Sequence, residues 1–177
     1  MGKFGTLPET LTMILRSQID AAFAHRQKPS KLVEVRSPIT PEQRDALWFA
    51  DHHWRHIGWQ DWQRHPDAFY AFLPEAFVFY LPSILIASME APQGQLLAAD
   101  ALIGTLDRSP EPYHWDAFMA ARLIGLEPAE YEALKAWVLA RSGVVGVHDE
   151  DSLTRAYETI DLLARETVRL RNLLNPA

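Results

Sequence analysis

Residues 72–90, which read FLPEAFVFYLPSILIASME, form the most apolar stretch of the chain. Pro74 and Glu75 suit the first turn of a helix, since proline there loses no hydrogen bond and a carboxylate complements the positive helix end. Apolar residues then recur at helical spacing and also occupy the opposite side, which is typical of a helix buried all round. Pro82 removes one backbone hydrogen bond inside this run. We therefore predict a central buried helix that is kinked or broken near Pro82.

Composition places the chain among globular proteins and narrows its partners. Of its 177 residues, 48% are hydrophobic, the formal net charge is −6, and none is cysteine. An acidic protein is poorly suited to nucleic acid, whose phosphates require a basic surface. The lack of cysteine excludes disulfides and fits a reducing cytoplasm. The central apolar run is shorter than the roughly 20 residues that a membrane span requires. We therefore expect a cytoplasmic protein that binds neither nucleic acid nor membrane.

Capping signals divide the rest of the chain into helices. One helix is predicted at residues 8–26, and a second runs from residue 41 to about 57 behind a capping box, with Gly58 as its left-handed end. Residues 59–65 are predicted as a tryptophan-rich connection. Further helices are predicted near residues 96–106, 115–124 and 128–143, and a long one at about 150–174. The predicted fold class is all-α: a single domain, residues 1–177, of about six or seven helices around the central helix.

One sequence pattern extends from the central stretch to its surroundings. Its residues are Trp62, residues 72–77, Tyr80, Leu81, Pro82 and Leu85, with a weaker continuation at Arg122, Leu126, Pro128 and Trp137. This pattern, W…FLPEAFxxYLPxxL, resembles that of an uncharacterised, mostly bacterial family of helical proteins. The resemblance covers roughly residues 57–139. It implies an α-helical fold and assigns no catalytic residue.

A histidine cluster precedes this pattern. His52 and His56 are four residues apart, which would place both on one face of the predicted helix at a spacing that suits metal chelation. Asp61 or His65 would complete such a site if the chain folded back. Residue 53 is histidine where a zinc-protease helix carries its glutamate base. We therefore prefer a solvent-facing polar helix surface without metal, and keep a metal-dependent enzyme using these residues as the alternative.

No sequence motif identifies a catalytic site. The chain lacks a glycine-rich loop that would cradle phosphates and a serine in the sharp turn that exposes a nucleophile. It also lacks a recognisable pair of carboxylates for acid–base catalysis. We therefore predict no catalytic residue and no cofactor.

Tryptophans and carboxylates indicate a surface that binds another protein. At least two of the four tryptophans at residues 48–62 should fill the core, and Trp59 and Trp62, in the predicted connection, should be the most exposed. Exposed tryptophans often dominate binding energy. An acidic cluster would speed association with a basic partner, and two such regions are Asp149, Glu150 and Asp151, and Glu111, Asp116, Glu127, Glu130 and Glu132.

These observations favour a non-catalytic protein-binding protein. One example is an immunity protein that neutralises a bacterial toxin by binding a basic domain of it, with Trp59, Trp62 and the cluster at residues 149–151 as the contact surface. The first alternative is the metal-dependent enzyme described above. The second is a structural or regulatory homo-oligomer built on the final helix.

Overall fold

The central stretch forms one continuous helix that the other elements surround. The computed structural model describes residues 7–108, 115–144 and 147–174. Its α-helices are α1 (Glu9–Phe23), α2 (Pro41–Trp48), α3 (Trp59–Arg64), α4 (Ala68–Ala71), α5 (Pro74–Glu90), α6 (Leu97–Leu106), α7 (Ala117–Leu123), α8 (Pro128–Ser142) and α9 (Glu150–Leu174). No strand occurs within the described residues, so the predicted all-α class is confirmed.

Helix α5 forms the centre of the core. All of its residues from 76 to 88 are buried. The helix continues through Pro82, so the break that the sequence had suggested there is absent. Burial of large apolar side chains contributes roughly 1.5–3 kcal/mol each, which together exceeds the proline cost of about 3 kcal/mol. One of these side chains, Tyr80, stacks on Phe72 with ring centroids 4.9 Å apart.

Two serines of α5 hold tryptophans from neighbouring helices. The indole Nε1 of Trp62 donates to Ser83 Oγ at 3.0 Å, and that of Trp137 donates to Ser88 Oγ at 2.9 Å. Each serine hydroxyl donates in turn to the carbonyl three residues before it, at 2.6 and 2.8 Å. The two indoles therefore enter the core with their polar atoms satisfied, as buried polar groups require.

Helices α1, α8 and α9 build the layer beside α5. Helix α8 packs against α1 and α9, while α1 also contacts α5 and α9 also contacts α6. The Tyr131 hydroxyl donates to the carbonyl of Leu123 at 2.6 Å and lies 2.7 Å from the hydroxyl of Thr167. Gly125 donates its N–H to the same threonine and has φ of +95°, a conformation that glycine reaches without strain. This contact fixes the entry into α8 against α9.

The helix predicted at residues 41–57 is wrong beyond Trp48. It begins as predicted, with Thr40 and Gln43 forming a capping box. After residue 48 the chain makes a 3-10 turn, and His52 is extended with φ of −117°. The buried Tyr80 hydroxyl donates to the carbonyls of Phe49 (2.7 Å) and His52 (3.1 Å). The Phe49 carbonyl accepts the N–H of His52 as well, at 3.0 Å, so this contact holds the chain in a 3-10 turn followed by an extended residue.

Two short helices bring the number in the described residues to nine, against the six or seven predicted. Helix α3 replaces the predicted connection, and Gly58 precedes it with its N–H donating to the Asp61 carboxylate at 3.0 Å. Gly58 has φ of −98°, so the left-handed helix end predicted there is wrong. Helix α4 is a single turn before α5. None of the helices in the described ranges is long and apolar enough to cross a membrane.

Candidate functional site

The histidine cluster does not form the metal site weighed from the sequence. His52 is extended, and its ring stacks on Trp48 with centroids 4.1 Å apart. His65 stacks on the same indole at 4.7 Å and lies 3.3 Å from an Asp45 oxygen.

The other two candidate ligands are held separately. His56 is exposed at the end of a 3-10 turn, and Asp61 accepts the N–H of Gly58. The chelating spacing fails because His52 and His56 do not share a helix. No group of three or more ligating side chains lies close enough to hold a metal in the part of the chain that the structure describes.

The two tryptophans predicted to contact a partner lie in different environments. Trp62 is fully buried against α5, so its predicted exposure is wrong. The reason is that α3 is amphipathic and directs this side chain inward to Ser83. Trp59 is half-buried and packs against the edge of the core. As predicted, at least two tryptophans of this region fill the core, since Trp54 is buried as well.

The predicted acidic cluster at the start of α9 is on the surface. Asp149 precedes the helix and accepts bonds from the Ser152 N–H (2.8 Å) and hydroxyl (2.7 Å), which lower the pKa of its carboxyl. Asp149 therefore acts as a helix cap. Glu150 and Asp151 are exposed in the first turn. Glu150 also lines a groove between α8 and α9.

The second acidic region does not form one surface. Glu130 is completely buried and forms two bonds with the Arg26 guanidinium, at 2.6 and 2.5 Å. The predicted exposure of Glu130 is therefore wrong. The remaining members separate: Asp116 pairs with Arg108, Glu127 with Arg171 and Glu132 with Lys135, while Glu111 lies outside the described residues.

A groove between α8 and α9 is the best candidate for a binding site. We call it the acidic groove, with a volume of about 490 Å³ and the lining residues Val138, Leu139, Ser142, Glu150, Leu153, Thr154, Tyr157, Glu158 and Asp161. Leu139 is 59% exposed although it is a large apolar residue. Tyr157 is half-buried beside it, and Val138 and Leu153 form the buried floor. The groove thus combines an apolar floor with a carboxylate rim.

The electrostatic balance of the acidic groove is negative. Glu150 and Glu158 are exposed and form no ion pair with a described residue, and no cation lines the groove. Asp161 binds the ammonium of Lys135 at 3.0 Å. The hydrogen bonds of this ammonium to Glu132 and then to Asp161 raise the pKa of Lys135. Two carboxylates are therefore left without a countercharge next to exposed apolar surface.

Most residues of the acidic groove were missed from the sequence. Only Glu150 had been predicted to bind a partner. Leu139 carried a signal, because it is an apolar residue that departs from the inward stripe of α8 containing Leu134 and Val138. Glu158 carried none, since a carboxylate on the outer face of a helix is ordinary.

A buried polar cluster lies at the C-terminal end of α8, around Arg141. Arg141 is 1% exposed, and its guanidinium donates to the carbonyls of Ser88 (3.3 Å) and Gly94 (2.8 Å). Its Nη2 also lies 3.3 Å from the Nε2 of His148, which accepts this bond in the neutral tautomer that carries its proton on Nδ1. Asp100 is 3.4 Å from the same nitrogen. Burial and Arg141 lower the pKa of His148, with Asp100 and Asp149 opposing in part.

We expect this cluster to make the protein less stable in mild acid. The pKa of His148 is lower in the folded state than its ordinary value of 6.5. The contribution of this residue to the free energy of unfolding is therefore fully present above pH 6.5 and is lost as the pH falls through the folded pKa. Between pH about 7.5 and 5.5 the melting temperature should fall, and it should fall less in His148→Gln, whose amide oxygen accepts the same bond without titrating.

A second histidine provides the comparison for this experiment. Burial and Arg55 lower the pKa of His53 too, so His53→Gln should remove a separate part of the same pH dependence. The double variant should combine both effects, since distant sites are additive. If His148→Gln retained the full pH dependence of the wild type, protonation of His148 would not be coupled to folding.

Comparison with known protein families, with curated proteins and with solved structures finds no match to this chain. The resemblance to an uncharacterised helical family therefore stays a prediction, and the geometry described above is the basis for assigning a function.

Proposed function

We propose that this protein acts by binding another protein, without catalysis, and that the acidic groove receives a basic amphipathic segment of that partner. One observation carries the proposal: Glu150 and Glu158 have no countercharge among the described residues and flank the exposed side chain of Leu139. Uncompensated charge beside exposed apolar surface is typical of a recognition site.

The chemistry of the groove defines its occupant. An apolar stripe on a partner helix, with large side chains at i, i+3 or i+4 and i+7, would cover Leu139 and Tyr157. Lysine or arginine residues beside that stripe would meet Glu150 and Glu158. Exposed charge pairs contribute about 0–1 kcal/mol each, so the apolar contact supplies affinity while the carboxylates speed association.

The narrower form of this proposal is an immunity protein that neutralises a basic toxin domain. The net charge of −6 supports it, because an acidic protein attracts a basic partner over distances of about a Debye length. The toxin domain would present the amphipathic segment to the acidic groove. Its neutralisation would then follow from covering the toxin surface, with no chemical step.

Synthetic peptides test the groove before a natural partner is known. The probe is an amphipathic peptide of about four helical turns with leucine and lysine at helical spacing. We expect it to shift the amide resonances of residues 138–142 and 150–161, whereas a scrambled peptide and a leucine–glutamate peptide should not. Binding by the scrambled peptide with equal affinity would contradict the proposal, since only charge would then be recognised.

Matched variants separate the contribution of apolar contact from that of charge. Leu139→Asp should lower peptide affinity at least about tenfold, while Leu97→Asp, at another exposed leucine, should not. Glu150→Gln with Glu158→Gln should lower affinity about two- to tenfold and reduce its salt dependence. Glu9→Gln with Glu34→Gln changes net charge equally outside the groove. Equal losses in both pairs would show that net charge alone attracts the peptide.

Self-association is the second candidate function. Val168, Leu173 and Leu174 near the end of α9 are 54%, 65% and 79% exposed, which favours contact with a second copy of the chain. Sedimentation velocity over a range of concentrations tests it. A concentration-dependent dimer that Leu173→Glu dissolves would support the homo-oligomer, and a monomer at all concentrations would exclude it.

A further inference from the structure

A second cavity shares no lining residue with the acidic groove and carries the opposite charge. It has a volume of about 570 Å³ and opens between the chain after α1, the first turn of α5 and the end of α7. Its lining includes Arg26, Lys28, Glu75, Val78, Arg122 and Leu126. In a chain with a net charge of −6, a cavity bordered by three cations and one carboxylate is unusual.

Arg122 is the least compensated charge in this cavity. Its Nη2 donates to the carbonyl of Phe72 at 2.7 Å and its Nη1 to that of Phe118 at 3.2 Å. A guanidinium has five N–H groups. Three therefore have no partner among the described residues, and one of these, at Nε, is enclosed by protein. The other two, one at each Nη atom, can donate to an acceptor that the protein itself does not supply.

The surroundings of Arg122 fix its position without neutralising its charge. The guanidinium carbon lies 3.8 Å from the ring centroid of Phe118, which holds the side chain in place. Burial lowers the Arg122 pKa, and the carboxylate that opposes this effect is Asp116. Asp116 is already bound to Arg108 at 2.8 Å. An anion in the cavity would supply the missing countercharge.

The other charges around the cavity leave an excess of positive charge. Arg26 is neutralised by the buried carboxylate of Glu130. Lys28 donates to the carbonyl of Ala50 and has no carboxylate partner in the described ranges. Glu75 opposes an anion, while the positive end of the 17-residue helix α5 favours one. His25 also lines the cavity, with its Nε2 3.7 Å from an oxygen of Glu130.

We propose that this cavity binds a small organic anion, with its phosphate or carboxylate group at Arg122 and Lys28 and its apolar body against Val78 and Leu126. The volume is within the range of small-molecule sites, about 300–1,000 Å³. The lining suits such a ligand because apolar side chains and a few convergent cations share one concavity. This site is distinct from the acidic groove and does not depend on the proposed protein binding.

Simple aromatic anions test the site with the whole protein. Phenyl phosphate and benzoate are titrated in parallel, with benzyl alcohol as the neutral analogue, and amide resonances are followed by NMR. We expect both anions to shift residues 25–28, 74–78 and 121–126, and benzyl alcohol to do so only weakly. The tighter anion identifies the preferred acidic group. Absence of shifts with both anions would overturn the proposal.

Charge variants with a matched control decide whether the cavity is responsible. Arg122→Gln should weaken anion binding at least about tenfold, and Lys28→Gln about two- to fivefold. Glu75→Gln should strengthen it about two- to fivefold, a gain that loss of folding cannot imitate. Lys31→Gln, an equal charge change outside the cavity, is the control. If Lys31→Gln weakened anion binding as much as Arg122→Gln does, or if Glu75→Gln left the affinity unchanged, the proposed site would be wrong.

Discussion

Replacing Arg26 with alanine should lower the free energy of unfolding by about 3–5 kcal/mol. The carboxylate of Glu130 is completely buried, and the Arg26 guanidinium binds both of its oxygens, at 2.6 and 2.5 Å. The truncation removes both guanidinium bonds from this buried carboxylate and leaves it the N–H of Glu127 at 2.7 Å and the His25 ring at 3.7 Å, so most of its desolvation cost is no longer offset. In a chain of this length the melting temperature should fall by about 6–20 °C.

An exposed ion pair on α1, the helix that precedes Arg26, is the control for this result. Arg16 of α1 pairs with Glu90, and both side chains are at least 36% exposed. Arg16→Ala should therefore cost less than about 1 kcal/mol. The double change Arg26→Met with Glu130→Leu should recover much of the loss, because it removes both charges from the core. Equal effects of Arg26→Ala and Arg16→Ala would show that Glu130 is hydrated.

Replacing Leu85 with alanine should lower the free energy of unfolding by about 2–5 kcal/mol. Leu85 is completely buried in the middle of α5, where neighbouring side chains surround it. Its truncation loses the free energy of burying the removed atoms and leaves a cavity that the helix cannot fill by moving. Leu81→Ala, one turn earlier and equally buried, should behave in the same way.

Leu97 provides the matched control for the core substitution. It starts α6 and is 66% exposed, so Leu97→Ala should change the stability by less than about 0.5 kcal/mol. Chemical denaturation measures both variants, and the slope of the transition should stay unchanged if the native state keeps its size. A midpoint for Leu85→Ala equal to that of the wild type would show that α5 is not the centre of the core.

Much of the fold followed from local sequence signals. The bounds predicted for α9 are those observed, and α8 begins and ends where Pro128 and Gly143 had indicated. Helix α5 was recognised from its apolar residues on all sides. In these helices the local capping and periodicity signals coincide with the observed bounds, because no distant contact overrides the local preference.

The incorrect parts depend on contacts between distant residues. Nothing local ends the helix after Trp48, because the Tyr80 hydroxyl that takes the carbonyls of Phe49 and His52 is far along the chain. The environment of Trp62 depends in the same way on Ser83.

Only part of the candidate sites could be predicted, because they too depend on contacts between distant residues. Glu150 stood out because it belongs to an acidic run, whereas Leu139 became significant only when α9 packed beside it. Arg122 looks like an ordinary helix cation in the sequence. Its lack of a countercharge is visible only once α7 is placed against α5.

The two serines of α5, Ser83 and Ser88, also determine how the helix is rotated about its own axis. Because nearly every side of α5 is apolar, hydrophobic burial would accept many rotations of the helix about its long axis. A shift of one residue turns the helix by about 100°. Ser83 and Ser88 could then no longer accept the indole N–H groups of Trp62 and Trp137. Each unpaired indole would then cost about 1–3 kcal/mol. The two hydroxyls thus fix the rotation of α5 about its axis, although its apolar surface alone would allow several rotations. They make the native packing more stable than packings in which the helix is rotated.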